Sequence, residues 1–184
     1  MAHTRHPMES EGARCMNCHM PRMNEGLQEV VRTHMIFSPT NRAMIESNQP
    51  NACNQCHVDQ SIQWTLAYLK EWYGTSYSDW IVKKNYPAPE GPAALGWLES
   101  TNQSVRLIAA DCLTRAEAHE ALPELIDALD DPFLLNRQFA EIGLERMLGI
   151  RLSDFDYHFY QTPDEHKSRL NQLRLRYVPP ESSD

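Results

Sequence analysis

Two short motifs in the N-terminal third of the chain combine paired thiols with an imidazole. They are CMNCH at 15–19 and CNQCH at 53–57. The pattern Cys-x-x-Cys-His attaches c-type haem, because the two thiols reach the two vinyl groups of one porphyrin and the adjacent imidazole is thereby directed at the iron. The sequence therefore predicts two covalently attached haem c groups, with these thiols and iron ligands: Cys15, Cys18 and His19 for the first haem, and Cys53, Cys56 and His57 for the second.

Paired cysteines have two other common uses. Two CxxC pairs with 34 residues between them could bind zinc through four cysteines, and each pair could be a redox dithiol or a disulfide. Neither use requires a His after each pair, whereas both motifs here have one. The first 60 residues also lack a sustained apolar period, so a haem would supply the apolar bulk of their core. Haem is therefore the favoured cofactor.

A haem iron can take a second axial ligand from elsewhere in the chain. We predict His34, which lies between the two motifs in an otherwise apolar segment, and His6, which precedes Cys15 by nine residues. His3 is the nearest substitute for His6. Two His ligands on each iron would give a low-potential electron carrier. A His/Met site stays open as an alternative, with these candidates: Met8, Met16, Met20, Met23, Met35 and Met44.

The later part of the sequence has a helical character. One amphipathic pattern predicts a helix over 61–73 that stops at Gly74, and others predict helices over 105–113 and 121–129. The segment 85–92, with three prolines and one glycine, predicts a linker. We therefore expect an all-α chain with a loop-rich dihaem cytochrome c module at 1–88 and a short helical repeat module at 89–184.

The repeat is suggested by self-similarity within the helical half. A shift of 31 residues places Arg106 on Arg137, Ala109 on Ala140 and Leu113 on Leu144, which indicates an internal repeat. The alternative is a helical bundle without repeats.

Charge and hydropathy restrict the classes of partner. Seventeen Lys and Arg against 25 Asp and Glu give a formal charge of −8, which is the wrong sign for gripping phosphate backbones, so no nucleic acid partner is expected. No run of 18 apolar residues occurs, so no membrane span is expected in this chain. No basic segment followed by an apolar one opens the chain, so we expect a mature, trimmed or partial polypeptide.

Four segments within 12–74 together resemble a known family. They are GARCMNCHMP, RTHMIFSP, PNACNQCH and WTLAYLKEWYG, and they look like the multihaem c-type cytochromes related to the pentahaem nitrite reductases. The resemblance implies that the His between the motifs, His34, ligates a haem. It also implies a periplasmic or extracellular location, because such families attach haem outside the cytoplasm.

Three segments within 93–150 resemble HEAT-like repeats, in which paired helices stack into a small solenoid. They are VRLIAADCL, ALPELIDALDDP and NRQFAEIGLERMLG. Solenoids expose extended surfaces, so the resemblance implies a module that docks to a partner or to copies of this chain.

Together these features predict electron transfer between redox partner proteins and no enzyme activity. Reductases of the resembling family keep one iron open with a lysine-bearing attachment motif, whereas both motifs here end in His. Two alternatives stay open. One is a subunit or polymerising unit of a larger multihaem respiratory or filament assembly, whose partners would be other multihaem cytochromes or copies of this chain. The other is a haem reductase or peroxidase with one open iron.

The number of covalent haems can be measured directly. We expect the natively matured chain to give a pyridine haemochrome spectrum equivalent to two haem c groups, and an intact mass raised by two haems, because each CxxCH motif fixes one porphyrin. A colourless chain, or one that holds zinc in place of iron, would contradict the prediction.

Overall fold

The computed structural model of the protein describes residues 3–178. It is 55% helix and 5% strand, which confirms the predicted helical character and adds one small sheet. The helices are α1 (Cys15–His19), α2 (Arg42–Glu46), α3 (Ile62–Tyr73), α4 (Asp79–Asn85), α5 (Ala93–Leu98), α6 (Gln103–Arg115), α7 (Leu122–Asp127), α8 (Leu134–Leu148) and α9 (Pro163–Tyr177). Short 3-10 helices cover Glu11–Ala13, His119–Ala121, Ala128–Asp130 and Leu152–Phe155. None of the helices between residues 3 and 178 is both long and apolar enough to cross a bilayer.

The sheet is a hairpin that the sequence analysis did not predict. Strands β1 (Arg22–Glu25) and β2 (Val30–Arg32) pair antiparallel with Arg22 opposite Arg32. Strands of four and three residues are too short for alternation to be recognised. Val30 is fully buried and packs with residues of α6 and α8, so the hairpin is fixed against the helical half.

Helix α3 confirms the predicted helix and its stop. The Ser61 side chain accepts a hydrogen bond from the Trp64 amide at its start, as an N-cap residue should. Gly74 ends the helix with φ of +67°, a left-handed conformation that glycine adopts without a steric penalty. Both ends of α3, the helix that follows the second CxxCH motif, are therefore fixed by specific residues.

The largest apolar core lies among α5 to α9. Leu125 and Leu129 are fully buried there, and Val58, from the N-terminal half, belongs to the same core. Trp97 also donates a hydrogen bond from its Nε1 to Asn48 Oδ1 at 2.9 Å. The two predicted modules therefore pack against each other, and their boundary at 88/89 stays a prediction. Residues 1–2 and 179–184 of these modules lie outside the described residues.

Two arginines that the 31-residue shift aligns have comparable contacts. Arg106 donates to both carboxylate oxygens of Asp131, at 2.6 Å and 3.0 Å. Arg137 donates from its Nη1 to the Gln161 carbonyl at 2.9 Å. Each arginine thus fastens its helix to a turn about two dozen residues further along the chain. The acceptors differ, a carboxylate for Arg106 and a backbone carbonyl for Arg137, so the internal repeat and its HEAT-like assignment stay predictions.

The stability of the helical half should depend on its buried leucines. We expect Leu125→Ala to lower the free energy of unfolding by about 2–5 kcal/mol, because the substitution leaves a cavity in the core. Leu175→Ala is the matched control, since Leu175 is 87% exposed and should change stability by less than about 0.5 kcal/mol. Urea unfolding followed by far-UV circular dichroism measures both. Equal losses in the two variants would contradict this description of the core.

Candidate haem-binding sites

The first CxxCH motif forms the short helix α1. Its thiols are three residues apart, and this spacing puts them on the same side of the helix. Cys15 is exposed and Cys18 is half-buried. His19 Nδ1 lies 2.7 Å from the Phe37 carbonyl oxygen. A carbonyl can only accept, so Nδ1 carries the hydrogen and Nε2 keeps its lone pair free for a metal.

A second imidazole faces His19 across a cavity. The His3 ring is parallel to the His19 ring within 8°, with the ring centres 5.9 Å apart. The cavity is about 270 Å³ and is lined by both imidazoles and by the thiols of Cys15 and Cys18. The rings are too far apart to pack on each other, so the space between them is open to a third group.

The separation of these rings matches two ligands on one iron. A bond from a metal to a His nitrogen is about 2 Å long, and the ring centre lies about 1 Å beyond the nitrogen, so two imidazoles on opposite sides of a metal have centres about 6 Å apart. The observed 5.9 Å between His3 and His19 agrees with this span. The residues present therefore fit a haem iron with two axial His ligands.

The second motif lies in a turn that is tied to α3 by a buried asparagine. Asn54 is fully buried, and its Oδ1 accepts a hydrogen bond from Thr65 Oγ1 at 2.7 Å. Its Nδ2 donates to the Gln60 carbonyl at 2.8 Å. Because Asn54 lies inside the CNQCH sequence, these bonds fix the motif relative to the first turns of α3.

His57 also faces a second imidazole. The rings of His57 and His6 have centres 6.1 Å apart and planes inclined by 32°, which again is close to the span of two ligands on one iron. Burial lowers the pKa of His57, and the neighbouring His6 lowers it further. The neutral imidazole that results is the form that binds metal.

Aromatic side chains form one wall of the second site. Trp64, Tyr68 and Trp72 follow one face of α3, with successive ring centres 4.7 Å and 4.8 Å apart. Trp64 contacts His57 at 4.8 Å and Trp72 contacts His6 at 6.3 Å. The cavity along this wall is narrow, about 50 Å³. The case for a second haem here therefore rests on the thiols and the paired imidazoles and not on the volume of the cavity.

The thiols of the two motifs lie close to one another in surroundings that favour neutral sulfur. Burial raises the pKa of Cys53 to about 12, with further contributions from Cys18 and Cys56 nearby. Burial also raises the pKa of Cys18. A thioether is uncharged, whereas the zinc alternative requires cysteine thiolates. Between residues 3 and 178, no three His, Cys, Asp or Glu side chains converge in a geometry that could hold a metal ion.

The structure places the other predicted ligand, His34, on the surface. His34 is exposed, and its neighbours Met35 and Ile36 are 66% and 78% exposed. Within the described part of the chain, His34 makes no ring contact with either motif His. The structure therefore brings His6 to the second motif but does not bring His34 to either, and ligation by His34 stays a prediction.

The structure also places His3, which the sequence analysis gave as the nearest substitute for His6, beside the first motif. Its position depends on a long-range contact, because Tyr73 Oη, at the end of α3, donates to the His3 carbonyl at 2.7 Å. No local pattern shows such a contact. The one usable signal was the spacing of His3 and His6 immediately upstream of the first motif, where two ligands could serve two neighbouring irons.

Paired thiols followed by a His with a free Nε2, facing a second imidazole, are the features of a c-type cytochrome site with two axial His ligands. Residues 4–77 match the sequence model of the cytochrome c552 family. The match covers less than half of the chain and includes both motifs. It supports a c-type cytochrome related to the nitrite-reductase-type cytochromes, with covalently bound haem c and a role in electron transfer. No curated protein and no solved structure gave a match to this chain.

Substitution of each candidate in turn should show whether His3 and His6, or instead His34, ligate the haem irons. We expect His3→Ala and His6→Ala each to convert one haem from low-spin to high-spin iron, because each removes an axial imidazole. Low-temperature electron paramagnetic resonance of the oxidised holoprotein measures the change.

His34→Ala is the matched control for these two variants. It should leave both haems low-spin. If His34→Ala opened an iron while His3→Ala or His6→Ala did not, the facing pair would be a packing contact and His34 would be the ligand.

Proposed function

We propose that this chain is a dihaem c-type cytochrome that carries electrons between redox partner proteins. The observation that supports it best is the presence of two facing imidazole pairs, His3 with His19 and His6 with His57, each beside a CxxC pair. Bound haem supplies reversible one-electron chemistry at its iron. The cysteines of each motif would attach the porphyrin, and the paired imidazoles would hold its iron.

Full axial ligation argues for a carrier and against a catalyst. An iron with two protein ligands has no open position for a substrate. Imidazole in place of a methionine thioether also gives the lower reduction potential. We infer two low-potential haems with no catalytic iron.

Several contacts support a short electron path between the two haems. Cys18 lines the cavity of the first site and also that of the second. The opposing ligands His3 and His6 are only three residues apart in sequence. Trp72 and Tyr73 are in edge contact at 6.3 Å, with Trp72 on His6 and Tyr73 beside His3. An electron that enters one haem would therefore reach the other within the same chain.

The first haem is the better point of exchange with a partner. Its cavity of about 270 Å³ is wider than the cavity of about 50 Å³ at the second site, and Tyr73 at the same cavity is 39% exposed. We propose that redox partners dock over this site, in the periplasm or outside the cell, where covalent haem attachment takes place in similar families. The net charge of −8 favours partners with a basic docking face. The helical half would provide a further docking surface.

A second candidate function is that of a haem-bearing subunit in a larger multihaem respiratory or filament assembly. The exposed His34, with exposed Met35 and Ile36 beside it, favours this candidate, because a spare imidazole on an apolar surface could ligate a neighbour's iron. Haem spectra that change with protein concentration would support it, and spectra independent of concentration would contradict it.

A reductive titration combined with carbon monoxide binding tests the carrier. We expect the wild-type chain to take up two electrons reversibly, and the reduced chain to bind no carbon monoxide, because both irons have two His ligands. His6→Ala should bind carbon monoxide at one haem and is the positive control. Carbon monoxide binding by the wild type, or consumption of nitrite or peroxide, would indicate a reductase or peroxidase.

A further inference from the structure

Three arginines converge on one pocket beside the second haem motif. Arg22, Arg32 and Arg115 line a cavity of about 230 Å³ together with Asn17 and Cys56. None of these arginines has a role in the proposed haem ligation.

Different parts of the fold bring the three guanidinium groups together. Antiparallel pairing of β1 and β2 places Arg22 opposite Arg32. Arg115 is the last residue of α6 in the helical half. The burial of Val30 against α6 and α8 holds the hairpin next to that half. The pocket therefore exists only where the hairpin, the haem motifs and the helical half meet.

The protein balances the positive charge of this pocket only in part. Arg22 lies 3.4 Å from Glu29, and Arg115 Nε lies 2.8 Å from Asp111. Arg32 donates only to neutral acceptors, which are the carbonyls of Met16 at 2.9 Å and Met20 at 3.1 Å and the side chain of Asn17. No carboxylate within residues 3–178 pairs with Arg32.

The acidic side chain at the rim does not supply the missing charge either. Glu11 lines the pocket, but its Oε1 lies 2.9 Å from Arg14 in an exposed ion pair. The charge of Arg32 is thus left without a carboxylate partner in a chain whose formal charge is −8. Like charges that share a cavity repel one another, and a bound anion removes that repulsion.

Unused donors are also available at this pocket. The Arg115 Nη1 and Nη2 groups and the Arg22 Nη2 group have no protein acceptor in the described part of the chain, since each guanidinium bonds through another nitrogen. A guanidinium presents its N–H groups as a planar fork that matches the oxygens of a carboxylate or phosphate. The free N–H donors and the positive charge of the pocket therefore both favour a small oxyanion.

We propose that this pocket binds a small oxyanion, of the carboxylate or phosphate class, and that the bound anion modulates the haem attached at Cys56. The second part rests on the proposed function. Negative charge near an iron favours the oxidised state, so occupancy lowers the reduction potential of that haem. The shared carboxylate chemistry has two possible sources, a propionate of one of the haems or a free anion from solution.

Calorimetric titration of the full-length holoprotein with inorganic phosphate, at ionic strength held constant with chloride, tests for a free anion. We expect binding to the wild type and a loss of affinity of roughly tenfold to a hundredfold in Arg115→Gln, because charge-assisted hydrogen bonds are lost. Arg22→Gln is a second variant in case the first one misfolds. Arg146→Gln is the matched control, since Arg146 is exposed on α8 and does not line the pocket.

Potentiometric titration of the same variants tests for a haem propionate. If phosphate does not bind to the wild type but Arg115→Gln changes the pH dependence of one haem potential and Arg146→Gln does not, the pocket holds a propionate, because a propionate that loses its guanidinium partner titrates at higher pH. If phosphate does not bind and both variants keep the pH dependence of the wild-type potentials, the proposal is overturned. Failure of the electron-carrier role would be seen separately, as a chain without haem, in which phosphate binding still tests the pocket.

Discussion

The N-terminal half holds its imidazole rings in two pairs, each with ring centres about 6 Å apart. The bond from His19 Nδ1 to the Phe37 carbonyl orients one ring of the first pair, and the Tyr73 bond to the His3 carbonyl anchors the segment that carries the other. Rings about 6 Å apart gain little from each other directly. Their separation is explained when a metal with a ligand on each side occupies the space between them.

The local chemistry was predictable from sequence because it is encoded at short range. The CxxCH spacing, the helix that ends at Gly74 and the apolar stripe around Cys112 and Leu113 all depend on residues fewer than about eight positions apart. The structure confirms the helix and buries the stripe. Such patterns involve residues close together in sequence, so they can be recognised without knowledge of tertiary contacts.

The features that sequence did not predict depend on long-range contacts. His3 reaches the first motif only because it is anchored near the end of α3, 70 residues away. The β1–β2 hairpin is too short to show alternation, and the arginine pocket requires residues from three separate segments. His34 has the right type and a suitable position between the motifs, but the structure leaves it on the surface. The sequence shows these residue types, but no local pattern in it shows which of them are in contact in the fold.

The placement of His3 and His6 on one short segment has a consequence for the integrity of both haem sites. This segment is fastened mainly from outside, through the Tyr73 hydroxyl and through ring contacts with Trp72. In the proposed dihaem carrier, the two iron sites would therefore be coupled through this segment. If both sites hold haem as proposed, a single proteolytic cut before Cys15 that released the segment would remove both distal ligands together and leave both irons open to small gases and peroxide.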